Sequence, residues 1–212
     1  MPKALVEHFQ RTAASYDAWY DTHPALYRTE LAALRRAVPR RGRGLEIGVG
    51  TGRFASALSV RYGLDPSPGM LGLARSRGIR AVQGFGEALP FKPASFDFIL
   101  IAFVIEFVDD VRGFLGEAAK VLRPSGTLVI GVIDRDSAWG RYFHSSSRAR
   151  RFFHPPSPPE LVGILESVGL KFRASWQTLF GPPPDLRREE RPRPGFGQGG
   201  FVVFKARKAL GA

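Results

Sequence analysis

A chain of 212 residues with 44% hydrophobic and 24% charged side chains can bury one large core, so one compact unit is expected. The absence of cysteine excludes disulfides, thiolate zinc sites and cysteine nucleophiles, and no metal site is expected. A net charge of +12 invites acidic partners, nucleic acid above all. Of the 31 basic residues, however, 25 are arginine, and they fall in separate groups: Arg35, Arg36, Arg40, Arg41 and Arg43; Arg148, Arg150 and Arg151; Arg187, Arg188, Arg191 and Arg193. Scattered solvated arginine is the plainer reading, since no RNA-platform motif or finger spacing accompanies it. The longest uncharged apolar run, Phe98 to Ile105, is eight residues against the roughly 20 that span a bilayer. Met1 to Thr12 lacks the apolar core of a signal peptide, so a soluble cytoplasmic protein is expected.

Residues 4 to 38 read as helical with a break around Thr22-His23-Pro24, the second piece placing Leu26, Leu31, Leu34 and Val38 at helical spacing. The first piece ends in Ser15-Tyr16-Asp17-Ala18-Trp19-Tyr20, which can be core packing or a lid. Residues 1 to 43 thus form a helical cap before the main unit, residues 44 to 212. That unit opens on Gly44-Leu45-Glu46-Ile47, a short buried strand, followed by Gly48, Gly50 and Gly52 and a helix beginning near Arg53. Alternate glycines permit a tight turn with positive φ and let a ligand lie against the backbone, beside free N–H groups of a helix start. The dinucleotide fingerprint needs a small residue where Arg53 stands, and Glu46 would repel a pyrophosphate while welcoming an ammonium group. An NAD-dependent oxidoreductase is therefore disfavoured.

Glu46-x-Gly48-x-Gly50-x-Gly52 resembles the first motif of class I S-adenosylmethionine-dependent methyltransferases, and the segments after it are similar to the type 11 branch. The resemblance covers residues 44 to 133. It implies an α/β, Rossmann-like, doubly wound and mostly parallel seven-stranded sheet with helices on both faces. It also implies that Glu46 faces the methionyl end of S-adenosyl-L-methionine, that Gly48, Gly50 and Gly52 pack against its middle, and that a Tyr-Asp element ahead of the core folds over it.

Beyond the turn, Tyr62 to Asp65 reads as the next strand, and Asp65, 17 residues past Gly48, is placed to accept hydrogen bonds from ribose hydroxyls. Pro66-Ser67-Pro68-Gly69-Met70-Leu71 is similar to the family continuation, with Ser67 a predicted N-cap and Pro68 the first helical position. After a third strand, Ile79 to Gln83, the stretch Gly84 to Phe91 resembles the loop that brackets adenine, with backbone groups around Gly86 and Glu87 as contacts. Phe85 stands there where a polar residue is common. Phe96 to Phe103 reads as a central parallel strand covered on both faces, and by the same resemblance Phe103 to Phe107 belong to the region that faces the transferable methyl, with Ala102 and Phe103 among the cofactor contacts. Pro66 and Met70 complete the implied cofactor set.

Asp109 or Asp110 is the predicted cap of a helix over Val111 to Leu122, and Leu122 to Gly131 matches the family turn into a fifth strand. A helix over Glu160 to Val168 and strands over Lys171 to Thr178 and Phe201 to Arg207 close the chain. Residues 181 to 200, rich in proline, glycine and arginine, are too long for an ordinary connection and read as a mobile substrate loop or a disordered insertion.

The reaction implied is in-line transfer of a sulfonium methyl, in which alignment contributes on the order of 7 to 11 kcal/mol and a general base about 10² to 10⁴-fold. Candidate bases are Glu106, His144, His23, Tyr16 and Tyr20. Phe103, Phe107, Trp139 and Phe143 suggest a small, partly apolar acceptor. Two other readings stand beside it: an RNA or protein methyltransferase, and a cofactor-binding regulatory protein without turnover. There is no Asn-Pro-Pro-Tyr or Asp-Pro-Pro-Tyr of exocyclic-amine DNA methylation and no Pro-Cys of cytosine C5 chemistry.

Overall fold

The computed structural model describes residues 1–146, 152–184 and 186–209, and the basic group Arg148, Arg150 and Arg151 lies outside them. Apolar β-rich runs become five parallel strands: β1 (Gly44–Ile47), β2 (Tyr62–Asp65), β3 (Arg80–Gln83), β4 (Phe96–Ala102) and β5 (Leu122–Ile133). Three more join antiparallel, β6 (Leu170–Thr178), β7 (Arg193–Pro194) and β8 (Phe201–Lys208), giving the order β3-β2-β1-β4-β5-β8-β6-β7. The sheet has eight strands, not the seven expected. The eighth comes from the supposed loop, where Arg193 and Pro194 pair with Gln177 and Trp176.

That loop is stitched to the body at several points. The Glu190 carboxylate accepts from Phe180 N and Gly181 N at 2.8 and 2.9 Å, Glu190 N donates to Thr29 Oγ1 at 3.0 Å, and Gln177 Oε1 accepts from Gln198 N and Gly199 N.

Helices cover both faces. On one lie α1 (Lys3–Thr22), α2 (Pro24–Ala37), α3 (Arg53–Ala57), α4 (Pro68–Ser76) and α6 (Ala138–Ser146), whose Tyr20, Leu34, Phe54, Leu71 and Trp139 share a core with Leu100 and Val129. On the other, α5 (Val111–Val121) and α7 (Pro158–Ser167) bury Phe114, Leu115, Leu161 and Leu165 against Ile99, Ile101 and Ile130. β4 obeys strand alternation, Phe98 and Leu100 facing one core and Ile99 and Ile101 the other. Phe96 breaks the parity and joins the second core, which the register irregularity between Phe96 and Phe98 permits.

The caps explain the boundaries. Ser67 caps α4 by accepting from Met70 N, with Pro68 following it, and Asp110 rather than Asp109 caps α5 by accepting from Gly113 N at 2.9 Å. A capping box between Ser157 and Glu160 starts α7 at Pro158, two residues before the predicted Glu160. The strand order reverses between β1 and its neighbours β2 and β4, so the carboxyl ends of these strands open a crevice, the place where doubly wound sheets bind ligands. No helix among the described residues is long and apolar enough to cross a membrane.

Candidate functional site

At the end of β1 the chain turns under tight restraint. Gly48 N and Val49 N both donate to Leu64 O, at 2.7 and 3.0 Å, and Gly52 N donates to Val49 O at 2.9 Å. Gly48, Gly50 and Gly52 all have positive φ, at 73°, 51° and 80°. Their surroundings separate their roles. A Cβ at Gly48 would lie 2.2 Å from Val104 Cγ2 and one at Gly52 3.0 Å from Ala74 Cα, so both positions serve packing of the turn. A Cβ at Gly50 would meet nothing within 4 Å, so this glycine keeps a space clear.

Two acids flank that space. Asp65, at the end of β2 and 8% exposed, accepts from Gly50 N through Oδ2 and from Ser67 N through Oδ1, both at 2.9 Å. Burial pushes its carboxyl up, and the two backbone bonds oppose the shift. Glu46, at the middle of β1, is 1% exposed, and its Oε2 has no hydrogen-bond partner among the described residues. Burial raises it well above the carboxylate range, against a backbone hydrogen bond at Ala55.

Gly48, Gly50, Asp65, Pro66, Met70, Ala102 and Phe103 meet around one cavity of about 60 Å³. Phe103 holds a left-handed backbone at φ 58°, a strained choice for a bulky residue, and stacks on Phe201 with centroids 4.8 Å apart. The opposite wall is Met1, with Val6, Phe9 and Tyr16 of α1. At about 60 Å³ this cavity is well below the roughly 300–1,000 Å³ common for ligand pockets, with α1 forming part of its wall. Four of the cofactor residues implied by the resemblance do not line the cavity: Glu46, Gly52, Gly86 and Glu87. Gly86 is glycine for packing, since its Cβ would lie 2.1 Å from Phe114 Cε2, and Glu87 pairs with the Met1 amino group.

Residues 45–130 match the family model described as a methyltransferase domain. A crystal structure of an S-adenosylmethionine-dependent methyltransferase from Thermotoga maritima, described as a possible histamine N-methyltransferase, superposes with a TM-score of 0.89. It is 39% identical in sequence, over 94% of this chain and 98% of its own. An uncharacterized protein of Methanocaldococcus jannaschii is 39% identical over 203 residues, spanning 94% of this chain and 98% of itself. A demethylmenaquinone methyltransferase of Tropheryma whipplei is 36% identical over 137 residues, 58% of this chain and 56% of its own length.

The chain belongs to the class I S-adenosylmethionine-dependent methyltransferases. The residues present fit that cofactor: the space kept clear at Gly50, the Asp65 carboxyl on the same cavity and the unpartnered buried Oε2 of Glu46 are the features a sulfonium amino-acid nucleoside needs.

In this methyltransferase α1 is fastened to the body chiefly by charge. Arg53, at the start of α3, donates to Asp17 Oδ1 through Nε at 2.8 Å and to Asp21 Oδ1 through Nη2 at 2.8 Å. Arg77 bridges Asp17 Oδ2 at 2.7 Å and Thr51 O at 2.8 Å. Gln10 Oε1 accepts from Gly69 N at 2.6 Å and Ser67 Oγ at 3.1 Å, joining the middle of α1 to the start of α4.

Against α1 a second cavity, of about 460 Å³, shares Phe9, Tyr16, Phe103 and Phe107 with the first. Among the candidate bases, Tyr16, Tyr20 and Glu106 line it. The two tyrosine hydroxyls lie 3.1 Å apart. Burial pushes Tyr16 up to about 12 and Tyr20 well above its ordinary value, so both are neutral hydrogen-bonding groups rather than bases. Glu106 accepts from Ile133 N through Oε1 at 2.9 Å, its Oε2 lacks a partner among the described residues, and burial lifts it to about 7.

His23 and His144 do not line this cavity. His23 stacks on Trp19 with centroids 4.2 Å apart and follows α1, while His144 lines a separate groove with Arg135, Arg141 and His154. Phe107 and Phe143 border the larger cavity as expected, whereas Trp139 is a core residue whose Nε1 donates to Gly181 O at 2.7 Å.

Sequence reasoning missed Glu30. It is 3% exposed, lines the larger cavity and has an unpartnered Oε2 among the described residues. Its signal was present: Glu30 stands on the apolar stripe of α2, four residues from both Leu26 and Leu34.

Proposed function

We infer that this methyltransferase acts on a small molecule in the cytoplasm, with α1 as a lid that opens to admit S-adenosylmethionine and closes over the reacting groups. The observation that carries the reading is the aromatic-walled cavity of about 460 Å³ beside α1, which shares four lining residues with the smaller cavity at the glycine turn. Its size suits a small ligand, and a folded RNA or protein segment would have to displace the cap to reach it. Support also comes from relatives whose descriptions name small acceptors, demethylmenaquinone and, as a possibility, histamine.

When bound, S-adenosylmethionine supplies an electrophilic methyl on a sulfonium that is already a good leaving group. The chain's part would be placement: Asp65 would accept from ribose hydroxyls, Gly48 and Gly50 would offer bare backbone, Glu46 would answer the ammonium end, and groups near Gly86 and Glu87 would border adenine. Phe103, common to both cavities, stands where cofactor and acceptor meet.

The test is transfer of labelled methyl to panels of small molecules, RNA and proteins. Labelling of small molecules is expected. Methylation confined to RNA, with binding that weakens steeply as salt rises, would overturn the reading and restore the role suggested by the +12 charge.

A further inference from the structure

The larger cavity has a chemistry of its own. Two buried carboxyl groups line it from different elements, Glu30 from α2 and Glu106 from the 3-10 turn Ile105–Phe107 that follows β4. Each leaves Oε2 buried without a partner among the described residues. A buried acceptor with no donor is unfavourable, and an ionised one more so, so the pair demands donors from whatever enters. The rest of the lining is largely aromatic, and no lysine or arginine is among the described residues that form it, in a chain with 31 basic side chains.

We propose that this cavity is the acceptor site and takes a small primary or secondary amine, its nitrogen held by Glu30 and Glu106 and its apolar body against Trp19, Tyr20, Phe107 and Phe153. The proposal rests on the small-molecule reading above and names the acceptor class. A carboxylate or phosphate acceptor would bring a third negative charge beside the pair. An alcohol or phenol has one O–H to offer two separate oxygens. An ammonium group brings several N–H donors and a positive charge, and the aromatic faces favour it further.

The same pair supplies the proton acceptor. Like-charged neighbours in a buried site do not both ionise readily, and Glu30 is raised by burial first and by the charge of Glu106 second. An arriving ammonium ion lets the second carboxyl ionise and then gives it a proton, exposing the nitrogen lone pair. That lone pair forms the N–C bond as the C–S bond breaks, the bonding electrons stay on sulfur as S-adenosylhomocysteine, and the methylated nitrogen takes up the positive charge that the sulfonium loses. Net, one proton passes from the amine through the carboxyl to solvent.

The experiment measures binding without turnover. Calorimetric titration of the protein saturated with S-adenosylhomocysteine is run with 2-phenylethylamine, 2-phenylethanol and 3-phenylpropanoate, and repeated on Glu30→Gln and Glu106→Gln. The expected result is that the amine binds at least about 10-fold tighter than the alcohol, that the carboxylate binds weakest, and that either variant weakens the amine by about 10- to 100-fold while leaving the alcohol unchanged. Glutamine keeps the shape, and retained S-adenosylhomocysteine affinity reports a folded cofactor site. Equal affinity for amine and alcohol, or amine binding indifferent to both substitutions, overturns the amine assignment alone. Failure of the wild type to bind S-adenosylhomocysteine would instead undo the catalytic reading beneath it.

Discussion

Arg53 grips Asp17 with two hydrogen bonds, Nε to Oδ1 at 2.8 Å and Nη2 to Oδ2 at 3.2 Å, and so fastens α1 to the first residue after the glycine turn. The forked geometry suits a guanidinium and carboxylate pair, and only 15% of either side chain is exposed. Asp17→Asn is expected to cost about 1–3 kcal/mol in chemical denaturation, because it leaves Arg53 and Arg77 short of a charge partner. Burial pushes the Asp17 carboxyl up, but hydrogen bonds from Arg53, Thr51 and Arg77 outweigh it and bring the group down to about 2 from an ordinary 3.8. A depressed folded value means this stabilisation is complete above the ordinary value and disappears as pH falls through about 2. Wild type and Asp17→Asn should therefore converge in stability across that acid range.

The glycines of the turn separate by mechanism. Gly50→Ala places a methyl in open space at φ 51°, so it should fold with a cost of about 1–2 kcal/mol and bind S-adenosylhomocysteine at least about 10-fold more weakly. Gly48→Ala drives the same methyl to 2.2 Å from Val104, so its main defect should be stability, exceeding that of Gly50→Ala. Melting curves with and without S-adenosylhomocysteine distinguish the two outcomes.

Glu106 is raised by burial to about 7 from an ordinary 4.5, the hydrogen bond from Ile133 N opposing the shift. A carboxyl raised on folding contributes stability that is complete below the ordinary value and is lost as pH rises through about 7, a change on the order of 3 kcal/mol. Glu30, Tyr16, Tyr20 and His8 share the cavity, and Glu30 titrates in concert with Glu106. The ligand-free protein should lose stability between about pH 4.5 and 7, with a shallower loss in Glu106→Gln. Methyl transfer should rise over the same range as the proton acceptor ionises.

Gln10 links α1 to Gly69 and to Ser67, a residue that lines the smaller cavity. If α1 is the lid, Gln10→Ala should quicken both association and release of S-adenosylhomocysteine by about 3- to 10-fold, leaving the dissociation constant nearly unchanged. Stopped-flow fluorescence of Trp19 and its neighbours provides the readout, and unaltered rates would argue against a lid pivoting at this contact.

Local signals carried most of this architecture. The glycine spacing, the acids at 46 and 65, the Ser67-Pro68 cap and the apolar run of β4 each act through their own backbone, and each stands where the sequence puts it. What escaped depends on long-range partners. Arg193 and Pro194 form a strand only because Gln177 and Trp176 lie beside them, and Glu190 orders its segment through Phe180, Gly181 and Thr29. Glu30 was hidden in an amphipathic pattern, where one acid on an apolar stripe reads as a flaw until a cavity is found beside it. His23 and His144 drew notice for their chemistry alone, and the fold keeps both away from the larger cavity.

The larger cavity and the molecule as a whole carry opposite electrical characters, two acids lining the one and a surplus of twelve positive charges on the other. A cationic guest is repelled at a distance and welcomed only after it has passed the rim. Because mobile ions shrink the outer field to a range of about 8 Å at physiological strength while barely reaching the pocket, adding salt should hasten its capture. That dependence is opposite in sign to the one a polyanion would show.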